Sequence, residues 1–151
     1  MIKIKQSKTA DTRSCDYTSV SKQTLLASSL QHIDDVKKGL DFFREMLSES
    51  AANHDFDKIT DLDSFHSDFI TGFKNTTWYD NHRKINRHHL SVEDGIPKDV
   101  NLIDVLEYIT DCVMAGKART GDVFPLELNT EILQKAFNNT VDLLKSNVVV
   151  E

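Results

Sequence analysis

Hydrophobic residues recur at helical spacing along most of this chain. Leu26, Leu30, Ile33, Val36, Leu40, Phe43 and Leu47 return every three or four positions. That period gathers them on one side of an α-helix and predicts a stripe facing a core. Ser21 precedes the segment TLLASSLQ, where its hydroxyl can accept from an unpaired first-turn N–H, so it is the expected cap. A second stripe, Phe65, Phe69, Ile70 and Phe73, follows Asp61 as a cap, and Trp78 to Asn86 predicts a short helix starting at Thr76 or Thr77. The clearest helix carries Leu102, Val105, Leu106, Ile109, Cys112 and Val113, with Gly116 near its end. KARTGDVFPLEL, broken by Gly121 and Pro125, predicts a loop. Asn129 or Thr130 then opens a last helix bearing Ile132, Leu133, Ala136, Phe137, Val141 and Leu144. Residues 1–20 are polar and lack a stripe, which predicts an arm with a short strand at Ile2–Ile4. The apolar VVV before Glu151 is either a frayed end or a contact with a second subunit. The expectation is one compact all-α domain over 21–151 behind an N-terminal arm over 1–20.

Composition supports the helical reading, with only five glycines and two prolines among 151 residues. The formal charge of −6 argues against a long nucleic-acid partner, whose phosphates call for a basic surface. A small anionic substrate stays compatible, because a bound metal ion can supply local positive charge. Cys15 and Cys112 are far apart and form neither a disulfide framework nor a zinc motif. The opening MIKIKQSKTADTRSCDY lacks the apolar stretch of a signal peptide, and no apolar run approaches the roughly 20 residues that cross a bilayer. These features predict a soluble cytoplasmic protein with no membrane partner.

The candidate chemistry lies in the histidines. All six fall between residues 32 and 89, at His32, His54, His66, His82, His88 and His89. Neutral imidazole is the commonest protein ligand for metals, and carboxylates complete borderline sites. His54–Asp55 opens the string HDFDKI. Neighbours on a helix point about 100° apart, so both can reach one ion only at a helix end or bend. Lys58 follows about one turn on, suited to contact an anion bound there. His32 joins this group only if the chain reverses between Gly39 and Ser50, since an unbroken helix would separate it from His54 by about 33 Å. Asp111 sits among apolar neighbours in YITDCVMA, where a carboxylate calls for a charge partner. Asp104, Glu107 and Asp111 share one helical face, for which the alternative reading is a solvated acidic side.

The order His32, then His54–Asp55, then Asp111 resembles the HD-domain superfamily of metal-dependent phosphohydrolases. The stretch NRHHLSVEDGIPKDVNLIDVLEYITDCVMA is similar to the second half of its HD-GYP subgroup, although Gly95-Ile96-Pro97 only echoes the GYP triplet and Asp57 stands where glycine is usual. WYDNHRKINRHH resembles small HD-like proteins of tailed bacteriophages and bacteria. The resemblance spans roughly residues 20–145. It implies that His32, His54, Asp55 and Asp111 hold a first divalent metal. Asp55 then bridges to a second ion held by His82 with His88, His89 or both. Iron or manganese is implied foremost, with zinc, magnesium, cobalt or nickel compatible. It further implies hydrolysis of a nucleotide or other small phosphate ester, with Asp55 as ligand and proton acceptor. Lys58, Arg83, Arg87 and Arg119 are then the candidates to clamp phosphate oxygens, and homo-oligomerisation is compatible. Two alternatives stay open: a di-iron oxygenase on the same ligands, or a phage-encoded binding protein that works by contact in a host cytoplasm.

Overall fold

A computed structural model of the chain describes residues 1–7, 9, 12–75, 77–91 and 93–151. It is predominantly helical, as the spacing predicts. The chain divides into two compact units, one formed by Met1–Glu45 with Asp142–Glu151 and the other by Met46–Val141. Helices α1 (Lys22–Asn53) and α6 (Thr130–Asn147) each contribute residues to both. No helix among the described residues is long and apolar enough to cross a membrane.

In the first unit the expected strand β1 (Ile2–Ile4) forms a parallel pair with β2 (Val148–Val150), with Ile2 opposite Val148 and Ile4 opposite Val150. The apolar tail therefore forms a strand rather than a frayed end. Its β-branched residues suit extended backbone, and the long chain between the two ends supplies the crossover that parallel pairing needs. Gln31 on α1 donates to the Lys5 carbonyl, which ties the arm to the helix. Ser21 caps α1 as expected, accepting from Thr24 N at 3.1 Å.

The predicted core stripe of α1 needs correction. Leu26, Leu30, Ile33 and Leu40 are 57–64% exposed. Ser28 is the buried residue of this helix, and Gly39 lies against Leu144 of α6. Gln31, Asp35, Phe42, Phe43 and Met46 are half-buried on the same helix, so of the predicted stripe only Phe43 leaves the solvent in part. The spacing identifies the helix, but it does not say which face meets a neighbour.

The second unit holds α2 (Asp57–Thr60), α3 (Leu62–Phe69), α4 (Thr77–Ile85), a 3-10 turn (Glu93–Gly95) and α5 (Leu102–Thr120). Of the two expected starts for α4, Thr76 lies outside the described residues and Thr77 begins the helix. Asp61 precedes α3 without making a side-chain cap bond. Asn101 caps α5, accepting from Ile103 N, while Asp104 returns a bond to Asn101 N. Helix α5 continues through Lys117–Thr120, where a loop was expected, and ends at left-handed Gly121. The missing side chain at Gly116 makes this possible, since a Cβ there would meet the Asp122 carbonyl at 2.7 Å. The Asn129 side chain accepts from Glu131 N at the start of α6, as expected. Leu90, Val100, Val105 and Ala136 form the buried core, with Ile96, Leu102, Tyr108, Leu128 and Ile132 packed against it. This core fixes α5 and the His88–His89 segment beside it.

Candidate metal centre

Helix α1 stops at Asn53, and the next turn carries His54 and Asp55. Asp55 has a left-handed backbone, φ 52°, which a residue with a Cβ rarely adopts. The bend the HD pair calls for is therefore present. His54 Nε2 lies 3.5 Å from Asp55 Oδ2, and the two side chains share one site. Helix α4 supplies His82 from a buried position, its ring stacked 4.7 Å from that of Trp78. The segment after α4 supplies buried His88 and half-buried His89.

These residues converge as two groups that share one carboxylate. His54, Asp55 and His88 form the first, and Asp55, His82 and His89 the second. Within each, one ligand-type atom per residue lies within 4.8 Å of the others. Asp55 Oδ1 sits between the groups, 3.4 Å from His82 Nε2 and 3.5 Å from His88 Nε2. Tandem His88–His89 thus divides between the groups. Lys58 donates to the other Asp55 oxygen. Asp111 Oδ1 stands 3.6 Å from His54 Nε2, at the edge of the first group.

Two residues outside the predicted set hold the imidazoles in place. Asp57 contacts His82 Nδ1 at 2.8 Å and accepts from Asn86 at 2.9 Å. Glu107 lies 2.9 Å from His54 Nδ1, and Ser50 also donates to it. His88 Nδ1 is equally close to Glu107, though not aligned for a hydrogen bond. A carboxylate on Nδ1 favours the tautomer that carries its proton there, which leaves the Nε2 lone pair for the centre. Glu107 had a weak signal, lying one turn before Asp111 on α5, on a face whose alternative reading was a solvated acidic side. Asp57 had none beyond its place in HDFD.

His32 is not brought in. Helix α1 runs unbroken from Lys22 to Asn53, so the required reversal between Gly39 and Ser50 is absent. His32 lies about 32 Å along the helix from Asn53, the residue before His54, too far to share an ion with it. His32 and His66 are exposed. The predicted arginine clamps also have other engagements. Arg83 pairs with Asp80 at 2.6 Å and Asp94 at 2.9 Å. Arg87 forks onto buried Asp104 at 2.8 and 2.9 Å and reaches Asp99 at 3.1 Å. Arg119 is exposed at the far end of α5, eight residues beyond Asp111 and about 12 Å along the axis. Lys58 alone of the four predicted clamps touches the centre.

The electrostatics follow from burial against these contacts. Burial works to raise the Asp55 carboxyl, but bonded Lys58 and the nearby imidazoles outweigh it and lower the pKa. Burial likewise opposes ionisation of Glu107, yet His88, Ser50 and His54 bring it to about 2. Burial disfavours the imidazolium of His88, but Glu107, with Asp55 and Asp111, raises its pKa overall. His89 goes the other way, to about 4, through burial and the neighbouring His88 and His82.

The orphaned atoms provide the test of metal fit. Asp55 Oδ1, His88 Nε2 and His89 Nε2 are buried with no hydrogen-bond partner among the described residues. Leaving such groups unpaired is costly unless something else engages them, as an ion would. No family model, curated protein or solved structure matches this chain. The donor set therefore carries the chemical reading alone. Two imidazoles and a shared carboxylate in each group suit a borderline divalent metal such as iron, manganese, cobalt, nickel or zinc, better than oxygen-seeking calcium or magnesium.

Proposed function

We propose that this chain is a metal-dependent phosphohydrolase with two ions bridged by Asp55, acting on a small phosphate ester. The observation that carries the reading is the buried, unpartnered Asp55 Oδ1 set between His82 Nε2 and His88 Nε2. In this reading His54, Asp55 and His88 hold one ion, with Asp111 alongside, and Asp55, His82 and His89 hold the other. Divalent metals bound in this way supply a nucleophilic water at neutral pH and positive charge for phosphate oxygens.

The remaining roles belong to the protein. Asp57 and Glu107 orient His82 and His54 and favour the tautomer that leaves their Nε2 atoms free of protons. Lys58, one third exposed and paired with Asp55, turns its ammonium toward a bound phosphate oxygen. Asp55 would take up the proton released by the attacking water as Lys58 shifts from it to the phosphate. The water oxygen would form a bond to phosphorus as the ester P–O bond breaks, and the proton taken up by Asp55 would pass to the departing ester oxygen, so that the alcohol leaves neutral. The HD resemblance agrees with this assignment, although His32 stands outside it. The reading places the protein in a soluble compartment, with a nucleotide or another phosphate monoester as substrate.

The test is hydrolysis of a panel of phosphate esters by full-length protein loaded with manganese or ferrous iron. We expect turnover that EDTA abolishes and that Asp55→Ala lowers at least about 100-fold, since the bridge serves both ions. Lys58→Ala should lower kcat/KM by about 10–100-fold while metal stays bound. A metal-loaded wild type that turns over no phosphate ester, or an Asp55→Ala protein of full activity, overturns the assignment.

A further inference from the structure

An apolar recess lies beside the first group of ligands. It has a volume of about 310 Å³ and is walled by Leu47, Ala51, Leu106 and Met114. His54, Glu107 and Asp111 also line it, so it borders the first group of ligands, while its four apolar wall residues are exposed. The volume falls at the small end of the roughly 300–1,000 Å³ typical of ligand cavities. All of these residues belong to the second compact unit.

Its chemistry narrows what can enter. Among the described residues no lysine or arginine lines it, and its two acidic residues are Glu107 and Asp111. A chain of further phosphates would meet carboxylates and apolar walls there with no cation to pair with. The two hydroxyls in the lining are already committed, with Ser50 donating to Glu107 and Thr110 to the Leu106 carbonyl at 2.7 Å. Neither offers a free donor to read the polar edge of a ligand. What remains is shape and apolar contact.

We propose that this recess holds the uncharged leaving group of the substrate, and that the preferred substrate is a phosphate monoester of a small apolar alcohol or phenol. The proposal rests on the phosphohydrolase reading and specifies its substrate class. With phosphate oxygens held at the metals and by Lys58, the leaving group would occupy the recess that His54 borders. Burying an aryl group there contributes about 25 cal/mol per Å² of apolar surface removed from water. The contribution appears in KM wherever ground state and transition state use the recess equally.

The experiment uses full-length protein and two probes. Binding of neutral 1-naphthol to metal-free protein is followed by fluorescence, and hydrolysis of 1-naphthyl phosphate is compared with that of O-phosphoserine and ATP by manganese-loaded protein. Ala51→Phe fills the recess, and Met114→Lys places a cation on its exposed wall. Both variants are first checked for helix content and metal content. We expect naphthol to bind wild type and to bind each variant at least tenfold more weakly. We also expect at least a tenfold kcat/KM preference for the naphthyl ester, lost in both variants through KM. Ester turnover without naphthol binding or naphthyl preference overturns the proposal and leaves the hydrolase reading standing. Naphthol binding with no ester turned over sinks the hydrolase reading and, with it, the substrate assignment. A wild type that excludes naphthol and sediments as a dimer, dispersed by Met114→Lys, also overturns the proposal, with a second copy occupying the face.

Discussion

Asp57 sets the proton position of His82, and that makes it the most informative single residue outside the ligand set. Its carboxylate contacts Nδ1 of an almost fully buried ring. Asp57→Ala should weaken metal binding by about 10–100-fold, the usual effect of losing a partner behind a ligating histidine. Chelator competition measures this directly, and unchanged affinity would remove Asp57 from the account. His89 gives a pH signature in metal-free protein. Its folded pKa is about 4 against 6.5 when free, so the unfolded chain takes up this proton first as pH falls. The stability contribution of His89 is complete above pH 6.5 and is lost between 6.5 and 4. His88 has the opposite sign, contributing most below 6.5 and losing that contribution as pH rises through its elevated folded value. The difference in unfolding free energy between wild type and His89→Phe should therefore shrink as pH is lowered from 7 to 4.5. A constant difference would contradict the shift. At this scale the sequence made His54, Asp55, His82, His88 and His89 legible, because imidazoles and an HD pair have few chemical uses in such density. Glu107 was hidden by its resemblance to an ordinary solvated helix face.

At the scale of elements, caps and periodicity were readable and packing partners were not. Ser21 and Asn129 behave as their side chains suggest, because capping is local chemistry. The continuity of α1 is equally local, since SESAAN contains no glycine or proline to break it, and it removes His32 from the site. The aliphatic stripe misleads because exposure depends on neighbours that spacing does not specify. Asn101→Ala, which removes the N-cap of α5, should cost about 1 kcal/mol in denaturant unfolding. Arg87→Ala should cost more, about 2–3 kcal/mol, because it strands the buried carboxylate of Asp104. A smaller loss for Arg87→Ala than for Asn101→Ala would show that the fork onto Asp104 is not holding this segment.

For the molecule as a whole, the central claim is that Asp55 joins two ion sites built from distant parts of the chain. The all-α class was legible from spacing and composition. The pairing of the two chain ends was not, because VVV alone names no partner. The charge of −6 fits the proposal that bound ions supply positive charge at the site, where Lys58 is the only lysine or arginine contacting Asp55 among the described residues. The decisive measurement is metal content per chain, read by elemental analysis after loading with ferrous iron or manganese and desalting. Wild type should retain two equivalents, His82→Ala one, and Asp55→Ala none. Retention of two equivalents by Asp55→Ala, or of none by wild type, would contradict the account.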